Sequence, residues 1–313
     1  MPKLDPLSLK LFLSVIETNS ITAAASAHHI AATAVSKRVS DLEDLFGTTL
    51  LQRTNRGVHP TDAGKALVSL ARRALNEFDS LQIAMQDYCD GGVGLVTLCA
   101  STSAMSQFLS RDIASFLSDN PGIKVSVDEQ PSDLAVRQLT DHAVQIAVYA
   151  NVAETHHLDV KPYSQDHLVL VCHPSHPLAM QDRVAFQDTL THDYVGWYSG
   201  SAINKQLDTA ARMSHANWQV RAKVNSFDAL AQMVAAQIGI GVLPEGVARR
   251  KVLAYPLKIC YLMDAWSLRD FYVAVRSVQA LPDPALRLYN YLLRAHNNRQ
   301  PDDPVSDMLM SMH

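Results

Sequence analysis

No stretch of this 313-residue chain is apolar over the roughly 18 residues that a bilayer-spanning helix requires, so a membrane protein of the helical type is not expected. The start, MPKLDPLSLKLF, lacks a basic segment followed by a long apolar run and a small-residue cleavage site, so secretion is not expected either. Its four cysteines (Cys89, Cys99, Cys172, Cys260) are far apart and form no CxxC pair, which fits a reduced, cytoplasmic interior and offers no thiolate metal site. There is no P-loop, no GxGxxG and no nucleophile elbow, so nothing in the motifs supports an enzyme or a bound cofactor. His156-His157 and His173-Pro174-Ser175-His176 have no cysteine or carboxylate at ligand spacing and are read as loop histidines, leaving metal ligands at none.

Strong charge of either sign is also missing. The whole chain carries a formal −4, and residues 1–62 hold six basic side chains (Lys3, Lys10, Lys37, Arg38, Arg53, Arg56) against six acidic ones (Asp5, Glu17, Asp41, Glu43, Asp44, Asp62). A basic domain would advertise nucleic-acid binding by net charge. Here only distribution can do so, since four of the six cations fall within 37–56.

The pattern in that region is specific. Leu9, Phe12, Leu13 and Ile16 recur at helical spacing and predict a first helix ending near Asn19. Ser20 can cap a second, whose Ala23, Ala24, Ala25 and Ala27 permit close helix approach. In a third, Val35, Val39, Leu42 and Phe46 form the face expected to be buried, while Thr33, Ser36, Lys37 and Ser40 share the other side. Gly47 ends that helix. Leu50–Val58 reads as two short extended pieces around a polar turn, a wing carrying Arg53, Thr54 and Arg56. A long helix follows from Thr61 to about Tyr88, roughly 42 Å at 1.5 Å per residue. Its apolar positions Ala63, Leu67, Leu70, Ala74, Phe78, Leu81, Met85 and Tyr88 make one seam, a candidate dimerisation rod. On spacing alone the first three helices fit an ordinary packed α-domain as well as a DNA-reading head.

The residues themselves add a family. Ser20-x-Thr22-x-Ala24-Ala25, Ala34-Val35-Ser36-Lys37-x-Val39-x-x-Leu42-Glu43, Phe46-Gly47-x-x-Leu50-Leu51-x-Arg53 and Thr61-x-Ala63-Gly64 resemble, in order and without gaps, the winged helix-turn-helix of LysR-type transcriptional regulators. The resemblance implies binding of double-stranded DNA, with Thr33, Ser36, Lys37, Arg38 and Ser40 on the recognition helix and Arg53, Thr54 and Arg56 on the wing. One departure is visible. Ala31-Ala32 stand where the family usually has Ser-Gln, so a base-reading amide is missing.

Past Asp90-Gly91-Gly92-Val93-Gly94, read as a hinge, strands and helices alternate, which predicts an α/β domain whose ligands bind beyond the carboxyl ends of strands. Expected strands include Leu95–Ala100, Ile123–Val127, Val144–Tyr149, Leu168–Cys172 and Tyr194–Trp197, and expected helices Ser103–Leu117, Asp133–Leu139, Ala202–Met213 and Phe227–Gln237. Three strand-to-helix junctions, Ala100–Ala104, Ser199–Ala202 and Asn225–Asp228, offer hydroxyls and free amide N–H groups where the helix dipole favours an anion. Each serine singly is explained by helix capping; the three together point to a small anionic ligand.

This part resembles the LysR-type effector domain, most clearly in Gln237–Pro244 and Leu168–Leu178. The resemblance implies a multidomain chain: an N-terminal, α-rich winged helix-turn-helix (1–62), a long linker helix and hinge (63–92), and a C-terminal α/β, periplasmic-binding-protein-like effector domain (93–300). That domain would comprise subdomain I (about 93–165 and 267–300) and subdomain II (about 166–266), followed by a mobile tail (301–313). It further implies a cleft lined by Ser101, Thr102, Ser103, Ser199, Gly200, Ser201 and Ser226, and assembly into a homo-oligomer, a dimer of dimers. Gln145 stands where the family commonly has an aspartate, a position the resemblance puts at the cleft edge. The expected function is effector-controlled transcription regulation. The rival is a cytosolic solute-binding module whose helical N-terminus only oligomerises it.

Overall fold

The computed structural model describes residues 4–54, 57–89, 94–150, 155, 157–198, 201–214 and 217–299. Arg56, the Gly91-Gly92 hinge, Ser199, Gly200 and the tail therefore lie outside the described residues, as does the side chain of Arg53. The chain divides into two compact units.

In the first, α1 (Pro6–Thr18) starts at Asp5, whose carboxylate accepts from the Ser8 amide at 2.9 Å, and stops where Asn19 turns left-handed. Leu9, Leu11, Phe12, Leu13 and Val15 are all buried, so α1 is apolar nearly all round and forms the centre of the head. Ser20 caps α2 (Ile21–Ala27) as expected, and α3 (Ala32–Phe46) lays Val35, Val39 and Leu42 into the same core. Gly47 at φ +64° ends α3. Phe46 does not join that face: it is 43% exposed.

Strands β1 (Leu51–Thr54) and β2 (Gly57–Pro60) pair antiparallel as the wing. Gly57 lies so close to α1 that a Cβ there would come within 2.8 Å of the Asn19 carbonyl, to which the Val58 amide donates at 3.0 Å. Then α4 (Asp62–Cys89) runs for 28 residues. The Thr61 hydroxyl accepts from the Gly64 amide at 3.0 Å and donates to the Thr49 carbonyl at 2.7 Å, so one side chain caps α4 and ties it to the wing. The expected single seam of α4 is really two. Leu67, Ala71 and Leu75 pack into the head, whereas Leu70, Phe78, Leu81 and Met85 are 50–61% exposed.

The second unit opens with β3 (Gly94–Ala100), then a helical run made of α5 (Thr102–Ala104), a π-turn (Met105–Leu109) and α6 (Ser110–Asp119). Next come β4 (Ile123–Glu129), α7 (Ser132–Thr140) and β5 (Ile146–Ala150). The 14-residue β6 (Asp159–Cys172) follows, with short β7 (Arg183–Val184), α8 (Phe186–Thr189), β8 (Asp193–Trp197) and α9 (Ala202–Met213). The chain continues through β9 (Gln219–Val224), α10 (Phe227–Ala235), β10 (Gly241–Pro244), α11 (Glu245–Lys251), β11 (Lys258–Leu262), β12 (Leu268–Val275) and α12 (Asp283–Arg299).

One strand organises this unit. The amino half of β6 pairs with β12, and its carboxyl half pairs with β10 and β11. It therefore passes from a core built on β3, β5, α6 and α12 to a second built on its own last five residues, β8, β10, α9 and α10. β3 and β5 run parallel, as do β8 and β9, and the carboxyl ends of β3 and β8 lead into α5 and α9.

Candidate nucleic-acid interface and effector cleft

With Val35, Val39 and Leu42 clamped inward, α3 turns Thr33, Ala34, Lys37 and Ser40 to solvent and leaves Ser36 half-buried. The result is a row of short side chains with one ammonium, a surface that fits a groove without steric obstruction. Glu43 fixes the exit from this helix, its carboxylate accepting from the amides of Leu50 at 2.8 Å and Leu51 at 3.1 Å. Arg38 belongs to a different arrangement. Its guanidinium lies 3.2 Å from the Asp5 carboxylate and 3.1 Å from the Ser8 hydroxyl, tying α3 to the start of α1. Partial burial works against ionisation of Asp5, but the bonds from Ser8 and the charge of Arg38 hold its carboxyl below the usual range. On the wing, the Thr54 hydroxyl donates to the Gly57 carbonyl at 3.1 Å.

In the second unit, Ser101, Thr102 and Ser103 meet Ser201, Ala202 and Ile203 across a cleft open to solvent. Gln130, Pro131, Ser132, Trp197, Tyr198, Asn225 and Phe227 complete the described lining, in which no side chain is charged. Ser101 and Ser201 accept from the amides of Ala104 at 3.4 Å and Asn204 at 3.3 Å, and Ser132 from that of Ala150 at 3.2 Å. Their oxygens each accept one amide bond, which leaves the hydroxyl O–H groups and the first amides of each helix as donors for a ligand. The amino ends of the α5–α6 run, of α7 and of α9 all lie at this cleft. One wall is aromatic: Trp197 donates through its indole N–H to the Val242 carbonyl at 3.1 Å and meets Phe227 edge to face at 5.0 Å.

Two expected cleft residues, Ser226 of the lining and Gln145 of the edge, stand outside the described lining. Ser226 caps α10, accepting from the Ala229 amide at 3.1 Å, and lies outside the described lining, which takes its neighbours Asn225 and Phe227 instead. Gln145 sits at the amino end of β5, where its side-chain carbonyl accepts from the Thr97 amide at 3.1 Å. The cleft is at the other end of that strand, so Gln145 closes the amino end of β5 against β3 and does not set cleft polarity.

The histidines and cysteines have local explanations. His173 bonds Ser175 at 2.7 Å, and His176 accepts from the Leu178 amide at 3.2 Å while its ring meets that of His192 at 4.6 Å. Burial and the neighbouring imidazole push His176 below its usual range. Cys99, Cys172 and Cys260 are buried in strands; burial and the charge of Asp128 push the Cys99 thiol up to about 12.

Residues 7–65 match the model of the bacterial regulatory helix-turn-helix protein, lysR family, and residues 90–297 match that of the LysR substrate binding domain. The chain belongs to the LysR family. It is a DNA-binding transcriptional regulator with an effector-binding domain, and the solute-binding module with a merely oligomerising head is set aside. The nitrogen assimilation regulatory protein nac of Escherichia coli (strain K12) is 28% identical over 310 residues, 97% of this chain and 93% of that one. The solved LysR-family structure of CbnR superposes with a TM-score of 0.68 at 17% identity, covering 94% of this chain and 99% of that one. Full-length CbnR complexed with its target DNA gives 0.66 at 18% identity, over 93% and 100% of the two chains. The regulatory domain of CcmR from Synechocystis PCC6803, solved with 2-PG, gives 0.60 at 21% identity, over 66% and 99%. The two-part LysR architecture expected from the sequence is therefore the observed one.

Sequence reasoning missed Gln130, Pro131, Ser132, Trp197 and Tyr198, which lie on both sides of the LysR cleft, and it chose Ser226 from the Asn225–Asp228 junction where the lining takes Asn225 and Phe227. The junction after β4 held a usable signal. Gln130-Pro131-Ser132-Asp133 has the form of a proline-led helix cap and resembles the junctions that were singled out.

Proposed function

We propose that two winged heads, paired through their α4 helices, bind dyad-symmetric DNA in the cytoplasm as part of a homotetramer built as a dimer of dimers. In this reading 1–62 is the head, 63–92 the linker and hinge, and 93–300 the effector domain. Its subdomains would be about 93–165 with 267–300, and about 166–266. Thr33, Ser36, Lys37 and Ser40 face the major groove, and Arg53, Thr54 and Arg56 the phosphates or the neighbouring minor groove. Arg38 is left out of the contact set, because Asp5 and Ser8 already hold its guanidinium. The observation that carries the reading is the outward face of α3, four short or basic positions exposed above an apolar clamp. The test is a mobility shift on the regulator's own promoter region. The Lys37→Ala, Arg53→Ala double variant should lose most binding, and undiminished binding would reject this docking.

The effector in this reading is a small, singly charged anion held between Ser101–Ser103 and Ser199–Ser201. Three helix amino ends, each worth about half a positive charge, support one carboxylate where no cation is among the described lining residues. A thermal-shift screen of small carboxylates should find ligands whose stabilisation disappears in Thr102→Val. Stabilisation that survives the substitution places the carboxylate elsewhere.

A further inference from the structure

The two cores of the second unit are joined covalently by β6 and β12. Among the described residues, three sets of polar contacts also join them. At the crossing, Arg269 on β12 and Asp166 on β6 form a buried bidentate ion pair, and Gln107 from the π-turn donates to the same carboxylate at 2.5 Å. Beside it, Arg250 on α11 donates to the Ser106 carbonyl at 2.5 Å. The third contact lies at the cleft itself. The Lys205 ammonium on α9 reaches the Asp133 carboxylate on α7 at 3.1 Å.

The position of this third pair is what distinguishes it. Asp133 follows Ser132 and Lys205 is two residues past Ile203, so each charge flanks a lining residue on its own side without lining the cleft. The buried pair at the crossing has almost no exposed side-chain surface, and removing either partner would leave an uncompensated buried charge. It suits a fixed pivot. The Asp133 and Lys205 side chains are 60% and 57% exposed, so this contact is made and broken at small cost. A lysine in the first turn of a helix leans toward the helix amino end, which at α9 is the cleft.

We propose that Asp133 and Lys205 form a clasp across the cleft mouth that biases the empty effector domain toward closure. Its regulatory meaning rests on the cleft being the effector site, while the clasp itself exists without ligand. An exposed pair shifts an open-to-closed ratio by no more than about five-fold, enough to set the resting position of a hinge but not to lock it. An effector then has to add only the remaining closure energy.

The test uses full-length protein without effector, in a Cys89→Ser background that avoids labelling this thiol, with spin labels at Lys124→Cys on β4 and Lys223→Cys on β9. Pulsed electron–electron distance measurement reads the open and closed populations. Asp133→Asn and Lys205→Met should each raise the open-to-closed ratio, by up to about five-fold at low salt. The charge swap Asp133→Lys with Lys205→Asp should restore it. Sodium chloride near 1 M, where the screening length is about 3 Å, should open the unsubstituted protein and leave the two single variants unchanged. Distance distributions that are the same in the single variants and the parent at low salt overturn the clasp, as does a swap that fails to restore. Since no effector is added, an unsuccessful ligand screen would count against the cleft's assignment and leave this result standing.

Discussion

Ala31 is the residue from which α3 is entered, with φ −70° and ψ 141°, and it offers no oxygen to the free amides of the first turn. Three other helices, α1, α4 and α9, do not start this way. Asp5 caps α1, Thr61 caps α4 and Ser201 caps α9, each through a side-chain oxygen three residues ahead of the amide it accepts from. The Ala31 backbone already has the extended geometry that a capping serine adopts, and the position is exposed. Ala31→Ser should therefore stabilise the first turn of α3 by about 1 kcal/mol. Hydrogen exchange of the α3 amides that open by local unfolding should slow by about five-fold, and unchanged or faster exchange would reject the argument. Residues whose role is local were the legible ones: Ser20, Ser101, Ser201 and Gly47 do in the structure what their neighbours in sequence predict. Arg38 was not legible, because its partners Asp5 and Ser8 lie about thirty residues away and nothing in the helical period of α3 separates it from Lys37.

Elements were legible where hydrophobic period and length agreed. The α9 bounds were read correctly from the sequence because an apolar face and a serine cap coincide there. The amino half of β6 was not. Lys161, Pro162, Gln165, Asp166 and His167 break any apolar alternation, since this stretch crosses between two cores and Asp166 is buried only because Arg269 meets it. The helix expected over Ser103–Leu117 is present, but with a π-turn at Met105–Leu109 that no side-chain pattern announces. That turn brings Gln107 onto Asp166 and leaves the Ser106 carbonyl for Arg250. The cleft was legible by halves for the same reason. The Ser101 and Ser201 junctions stand out within their own segments, whereas Trp197 reads as a core strand residue until Phe227 and the Ser201 junction are placed beside it.

At the scale of the whole molecule, the open question is what covers α4. Within one chain, Leu67, Ala71 and Leu75 are satisfied by the head, while Leu70, Phe78, Leu81 and Met85 stay 50–61% exposed at spacings of eight, three and four. The sequence merged these two faces, because Leu67 and Leu70 lie on adjoining helical positions and only the placement of α1 tells them apart. A second α4 laid along the exposed face would bury eight large side chains, with a gross gain on the order of 10 kcal/mol, comparable to the roughly 4–15 kcal/mol cost of association. That margin is thin enough for two charges to decide it. Leu81→Glu with Met85→Glu would place up to four carboxylates in the buried seam, where each must shed its hydration without a partner. Sedimentation should then show the native oligomer falling by at least half in mass. DNA affinity for a dyad site should fall with it, since one head retains only half of the phosphate contacts. The head itself should remain folded, because neither residue belongs to its core. An oligomeric mass unchanged by both substitutions would mean that the exposed face of α4 is not where two copies meet.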